Sequence, residues 1–221
     1  MSVIKICGLT RIDDALFASQ LGADYLGLIS HRPSKRFVDC ETATALANAV
    51  RASDSHAQMI GVFVDEPIDL ILKTVETVGL DGVQLHGNSN PSAVADLQAR
   101  GVLVIKAHRV AGSEDVDKLD ARDEMVHLLD AYVPGAPGGT GVIFDWSLAA
   151  QASLTHRILL AGGLTATNVA CAIETVRPWG VDVSSGVEAS PGVKDADKIR
   201  EFIAAARTAF EVEGGRDEQE R

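Results

Sequence analysis

The sequence predicts an α/β fold, a single-domain (β/α)8 TIM barrel spanning residues 1–210. Three observations carry this reading. Eight short apolar runs recur along the chain, each is followed by a turn and a stretch with helical spacing, and no linker divides the 221 residues. Parallel strands read as near-continuous apolar runs because helices cover their outer face, and strands alternating with helices imply βαβ units. Eight units in this length are compact for a barrel, whose usual size is about 250 residues. An open doubly wound sheet is the rival, although eight strands are many for one of this length.

The expected strands are Val3–Cys7, Tyr25–Ile29, Met59–Val64, Gly82–Leu85, Leu103–Ala107, Met125–Asp130, Arg157–Ala161 and Val181–Ser184. Helical spacing follows at Ala15–Leu21, Ala43–Val50, Ile68–Val78, Ala93–Leu97 and Ala166–Val176. The two weakest helical stretches follow strands five and six, around Asp115–Leu119 and Trp146–Ala152. The last helix, Asp195–Phe210, is long and amphipathic, and residues 211–221 read as a frayed polar tail.

Composition narrows the function. The chain is 46% hydrophobic and 23% charged, with a formal net charge of −11. That charge argues against sequence-independent nucleic-acid binding, which needs a basic surface. It leaves anionic small molecules open, since backbone N–H groups bind phosphate locally. No apolar run approaches the ~18 residues that suggest a membrane span. The N-terminus lacks a basic segment followed by an apolar one. Three widely spaced cysteines, Cys7, Cys40 and Cys171, show no metal-ligand or redox spacing. A reduced, cytoplasmic protein without nucleic-acid or membrane partners is expected, as a monomer or a homodimer.

In a barrel the chemistry sits at the C-terminal ends of the strands. Those ends carry Cys7, Ser30 to Arg36, Asp65, His86, His108, Asp130, Gly162-Gly163 and Ser184-Ser185-Gly186. The turns "LLAGGLT" and "VDVSSGVE" close strands seven and eight, where barrels often bind phosphate. Glycines let the backbone approach a ligand closely, and exposed N–H groups at a helix start favour an anion. Either turn alone is equally well explained as a tight connection. Together, at consecutive strand ends, they favour a phosphate, with Ser184 and Ser185 as further donors.

Side chains alternate along a strand, so Lys5 and Cys7 share one face and Ile4 and Ile6 the other. Apolar Ile4 and Ile6 suit the helix layer, which turns Lys5 and Cys7 toward the axis. Strands one and eight are neighbours in a closed barrel, so Lys5 and Asp182 are expected to form a buried ion pair. Cys7 is then either a small buried hydrophobe or a base or nucleophile. A nearby cation, Lys5 or Arg36, would raise its thiolate fraction. Asp130 ends strand six ahead of a long Gly/Pro loop, "AYVPGAPGGTG", of the kind that more often binds or covers a ligand than merely connects. It needs partial desolvation to act as an acid near neutrality. Arg36 suits a bidentate grip on a carboxylate, against the plainer reading of a solvated basic turn. His86 and His108 have no ligand pattern around them, and no metal site is expected. Cys40 and Cys171 read as packing residues on helices.

The motifs "KICGLTR", "PSKRFV", "GVFVDEP", "GVQLHG", "IKA", "LLDA", "GGTGVIFDW", "AGGLTATNV" and "VDVSSGVEASPGVKD" resemble, in order, those of the phosphoribosylanthranilate isomerases of tryptophan biosynthesis. The resemblance runs from about residue 3 to residue 203, and "KICG" and "DVSSGVE" are its most specific parts. It implies an intramolecular oxidoreductase, an aldose–ketose isomerase. Such an enzyme rearranges N-(5-phosphoribosyl)anthranilate to 1-(2-carboxyphenylamino)-1-deoxyribulose 5-phosphate. It also implies Cys7 as general base and Asp130 as general acid. Arg36 would meet the anthranilate carboxylate, and Gly162, Gly163, Ser185 and Gly186 would cradle the phosphate. The chemistry implied needs no metal and no cofactor, only the small phosphorylated substrate.

Two departures touch the loops over the site. Val142 stands where many relatives carry a lysine, and Ser30-His31-Arg32 where aromatic or small apolar residues are more usual. The histidine-pathway or bifunctional isomerases of similar architecture carry an aspartate where this chain has Cys7. A catalytically silent phosphate-binding barrel is the alternative from another class, and the joint presence of Cys7, Asp130 and Arg36 argues against it.

Overall fold

A computed structural model describes residues 2–88, 91–110, 112–116, 119, 125–131 and 146–219. Along the chain run β1 (Val3–Cys7), α1 (Ile12–Gln20), β2 (Tyr25–Ile29), α2 (Cys40–Arg51), β3 (Gln58–Val64) and α3 (Ile68–Val78). They are followed by β4 (Gly82–His86), α4 (Pro91–Ala99), β5 (Leu103–Val110), α5 (Ser113–Val116), β6 (Val126–Ala131) and α6 (Trp146–Ser153). Then come β7 (Arg157–Leu160), α7 (Val169–Val176), β8 (Gly180–Val183), the short strands β9 (Glu188–Ser190) and β10 (Val193–Lys194), and α8 (Ala196–Gln219). Strands β1 to β8 form a closed barrel in chain order, all parallel, and β1 pairs with both β2 and β8. This excludes the open doubly wound sheet. No described helix is long and apolar enough to cross a membrane.

The pleat divides the apolar residues into two cores. Ile4 and Ile6 join the large cluster between the strands and the helices. A second cluster, Val3, Ile60, Ile105, Ala107, Val126, Leu128, Leu159 and Ala161, fills the barrel itself. The inward face of each strand follows from period-two alternation. It is Lys5 and Cys7 on β1, Gln84 and His86 on β4, and Asp182 on β8. Helix ends are set locally. Asp39 caps α2 by accepting the Thr42 N–H at 2.8 Å, and Gly79 ends α3 in the left-handed conformation, φ 71°.

The structure departs from the sequence expectation at several points. Helix α7 starts at Val169, not Ala166, because the Asn168 side chain accepts the Thr165 N–H at 2.8 Å and closes a turn there. Residues of the expected frayed tail continue α8 as far as Gln219. Glu213 is buried there and its carboxylate reaches Arg177 Nε at 3.1 Å, which ties the last helix to the end of α7. "EASPGVK" forms the antiparallel β9–β10 hairpin, turning at Gly192, φ 83°. Cys40 and Cys171 are exposed, not packed, since they lie on the solvent faces of α2 and α7.

Candidate active site

At the C-terminal mouth of the barrel lies a cavity of about 170 Å³. Its lining includes Cys7, Arg36, Gln84, His86, Asp130, Gly162, Gly163, Asp182, Ser184, Ser185 and Gly186. All seven residues singled out by sequence for catalysis and binding therefore meet in one place. His108 does not. The pleat turns it away from the barrel axis, and its Nε2 lies 3.0 Å from Nδ1 of buried His127. His31 and Arg32 line a neighbouring cleft with α2 and α3, where Arg32 covers the Phe37 ring. Val142 and the Gly/Pro loop after Asp130 lie outside the described residues.

Room for Cys7 is made by glycine. A Cβ on Gly27 of β2 would stand 2.7 Å from Cys7 Sγ. Gly8, φ 74°, lets the chain turn away under the Arg36 stem, where a Cβ would come within 2.6 Å of Cδ. At Gly186 an added Cβ would come closer still, within van der Waals exclusion of the Leu164 carbonyl. Gly186 is thus what lets the turn after β8 nest against the turn after β7. Gly162 and Gly163 both take positive φ, 88° and 65°, which side chains with a Cβ rarely adopt. Ser184 Oγ is buried among these turns and has no hydrogen-bond partner among the described residues.

Beneath the thiol runs a buried polar chain. Lys5 Nζ donates to Asp182 Oδ1 at 2.9 Å, the expected ion pair, and to Gln84 Oε1 at 2.8 Å. With its oxygen so occupied, Gln84 presents its amide nitrogen to His86 Nε2 at 2.7 Å. Nε2 must then accept, which leaves the ring proton on Nδ1. Burial, followed by the charges of Lys5, Arg109 and Lys106, lowers His86 to about 4, so the ring is neutral. Burial acts against the charge on Lys5, but Asp182 and Cys7 outweigh it and raise the lysine.

Cys7 goes the other way from the sequence expectation. Burial raises its pKa above the ordinary thiol value, and Lys5 and Lys194 only partly oppose that. The resting group is a thiol because desolvation of the anion outweighs two nearby ammonium groups.

Sequence reasoning missed three side chains of this site, Gln84, Glu188 and Lys194, and placed a fourth, His86, at a strand end without a role. Gln84 and His86 complete the polar chain. Glu188 grips Arg36 with both oxygens, Nε to Oε1 and Nη2 to Oε2, each at 2.7 Å. Lys194 Nζ donates to the Cys7 carbonyl at 2.6 Å, the Ser184 carbonyl at 2.9 Å and Glu188 Oε1 at 3.1 Å. The available signal was an acid and a lysine six residues apart around Ser-Pro-Gly, the pattern of a tight hairpin that sets both on one side. Among the described residues no cluster of three or more His, Cys, Asp or Glu side chains is arranged to hold a metal.

A closed (β/α)8 barrel whose strand mouths gather a thiol, a carboxyl, an arginine and paired glycine turns around one cavity has the layout of a barrel enzyme. Comparison with known proteins narrows this further. A profile of the N-(5'-phosphoribosyl)anthranilate isomerase family matches residues 4–205, and the chain belongs to that family. It is 48% identical to the N-(5'-phosphoribosyl)anthranilate isomerase of Pelobacter propionicus, over 94% of this chain and 96% of that one. The crystal structure of the Thermotoga maritima enzyme superposes with a TM-score of 0.86 at 39% identity, over 94% of this chain and all of that one. A phosphoribosyl anthranilate isomerase solved with reduced 1-(o-carboxyphenylamino)-1-deoxyribulose 5-phosphate gives 0.82 at 38% identity, over 94% of this chain and 100% of that one.

Proposed function

We propose that the cavity carries out an Amadori rearrangement with Cys7 as base and Asp130 as acid. The substrate is N-(5-phosphoribosyl)anthranilate and the product is 1-(2-carboxyphenylamino)-1-deoxyribulose 5-phosphate, a step of tryptophan biosynthesis in the cytoplasm. The observation that carries the assignment of roles is the meeting of Cys7, Asp130, Arg36 and the two glycine turns around one cavity.

The turns after β7 and β8 take the phosphate on backbone N–H groups of Gly162, Gly163, Ser185 and Gly186, with Ser184 Oγ as a further donor. Arg36 takes the aryl carboxylate. The sugar is then stretched across the barrel mouth between Cys7 on β1 and Asp130 on β6. The Asp130 carboxylic acid gives its proton to the furanose ring oxygen as the C1–O bond breaks and the nitrogen lone pair forms a cationic Schiff base. That cation acidifies the hydrogen on C2. The Cys7 thiolate removes it, and the electron pair flows into the C1–N unit to give an enolamine, which tautomerises to the ketone. Burial makes the Cys7 thiolate scarce in the free protein. The iminium charge on the bound intermediate favours the thiolate just where it is used. Acid and base groups of this kind contribute roughly 10²–10⁴-fold each.

Following the decay of substrate fluorescence tests the reading, with wild type and Cys7→Ala side by side. Rapid decay with wild type and almost none with the variant is the expected result. Equal decay with both would return Cys7 to a packing role. No decay with folded wild type would leave the silent-barrel reading in its place.

A further inference from the structure

We propose that Glu188 is the positioning residue that aims Arg36 at the substrate's aryl carboxylate, so that selectivity for a 2-carboxyl group is built into the β9–β10 hairpin. The inference rests on the reading that Arg36 holds that carboxylate.

A guanidinium is planar and offers donors along more than one edge. Glu188 takes one edge completely, through Nε and Nη2 at 2.7 Å each. This fixes the plane of the group, while the stem is fixed separately by its passage over Gly8. Among the described residues none bonds Nη1. The edge formed by Nη1 and the second Nη2 hydrogen is the one left to receive another carboxylate, and Arg36 lines the cavity.

An acid bound to an arginine would ordinarily cancel the charge that the arginine needs for a ligand. Lys194 prevents this. Its ammonium is fully buried and spends its three hydrogens on Glu188 Oε1 and the carbonyls of Cys7 and Ser184. Glu188 and Lys194 thus form a neutral pair, and one positive charge remains on Arg36. Gly192 N–H adds a further bond to Glu188 Oε1 at 3.2 Å. The carboxylate is bound on both oxygens and ionised. Burial works against its charge, but Arg36 and Lys194 prevail and lower its pKa. Held this way, Glu188 sets direction without consuming charge. Lys194 also anchors it to the backbone of Cys7 and Ser184, so the aryl end is referenced to the base and the phosphate turn.

The test is inhibition by two probes, reduced 1-(2-carboxyphenylamino)-1-deoxyribulose 5-phosphate and the same molecule lacking the carboxyl group. Wild type is expected to prefer the first strongly. In Glu188→Gln the preference is expected to fall tenfold or more while the affinity for the second probe changes less than about twofold. Loss of the charge-assisted, two-point hold on the guanidinium is the source of that expectation. Glu188→Asp is expected to restore part of the preference, and it carries the test if Glu188→Gln does not fold. Equal weakening of both probes would make Glu188 a purely structural support and overturn the proposal. A larger preference in Glu188→Gln would make it a competitor for Arg36, which also overturns it. Arg36→Met separates the two levels of inference. If it leaves the preference intact, the carboxylate reading of Arg36 itself fails. If it abolishes the preference while Glu188→Gln does not alter it, only the role of Glu188 fails.

Discussion

The inside of the barrel has two unlike walls. Strands β5, β6 and β7 present Ile105, Ala107, Val126, Leu128, Leu159 and Ala161, an apolar surface that needs only to be filled. Neighbouring strands β1 and β8 present Lys5 and Asp182, both buried and paired, and Lys5 also bonds buried Gln84 of β4. Both walls exclude water, but they do so at different cost. An apolar wall gains from burial, whereas a buried ion pair must recover the loss of hydration through geometry. The charged wall stands directly beneath Cys7, and the apolar wall beneath Asp130. The difference teaches that the fold accepts a buried charge beneath the thiol of Cys7 while Asp130 stands over plain hydrocarbon.

The largest effect expected from breaking this arrangement is on turnover. Cys7→Ala and Asp130→Asn, one above each wall, should each lower kcat by roughly 10²–10⁴-fold, read by the fluorescence assay. An effect confined to one of them would show that a single group serves both steps.

Lys5→Met tests the charged wall. It strands Asp182 in the interior, and loss of one partner of a buried pair costs about 3–5 kcal/mol. Urea unfolding should show this, and the double replacement Lys5→Met/Asp182→Leu should recover much of it. The same variant sharpens the electrostatics of the thiol. In the wild type the Cys7 thiolate should appear by ultraviolet absorbance at higher pH than that of an exposed cysteine, against Cys7→Ala as the blank. Removing Lys5 takes away a charge that lowers its pKa and frees one that raises it, so the titration should move higher still.

Gly27→Ala places a methyl group 2.7 Å from Cys7 Sγ, and overpacking of this kind costs about 1–3 kcal/mol. Turnover should fall more than stability, because the thiol is what must shift. Equal losses would mean that the strand moves as a whole.

The smallest effect is in pH. His86 is lowered from 6.5 to about 4 in the folded protein, so between those values the unfolded chain holds the extra proton. Stability should therefore fall as pH descends from 6.5 to 4, by about 1.4 kcal/mol per unit at most. Comparing urea midpoints of wild type and His86→Gln at pH 7 and pH 5.5 should show a flatter dependence in the variant.

Much of this was legible in the sequence, and the boundary is physical. Strand positions follow from the apolar runs, and the Lys5–Asp182 pair follows from alternation once the barrel is closed, but pattern alone left the open sheet as a rival until strands one and eight were seen to pair. The apolar runs told which residues lie at strand ends, but alternation was carried through to a face only for strands one and eight. His108 passed that filter and yet turns outward to His127. Gln84 was missed as a partner of Lys5 because that bond joins residues 79 positions apart, and with it went the role of His86, which is bonded to Gln84. Glu188 and Lys194 lay inside a quoted motif without a role. Only the hairpin turn at Gly192 brings them together and against Arg36. Burial of Cys7 reversed an electrostatic expectation because a sequence shows neighbouring charges more readily than exclusion of water.

The pair between Lys5 and Asp182 spans 177 positions of the chain, and Lys194 reaches back 187 to the Cys7 carbonyl. A chain is made from its N-terminus at roughly 5–20 residues per second. The first strand therefore leaves the ribosome many seconds before the segment that completes its site, and its lysine and thiol stand in water for that interval. Gln84 arrives earlier, but Asp182 and Lys194 both lie in the last fifth of the chain. Completion of the site is accordingly a late event: a nascent chain stopped short of residue 180 lacks the strand that closes the barrel, and one stopped short of residue 194 lacks the lysine bonded to the Cys7 carbonyl.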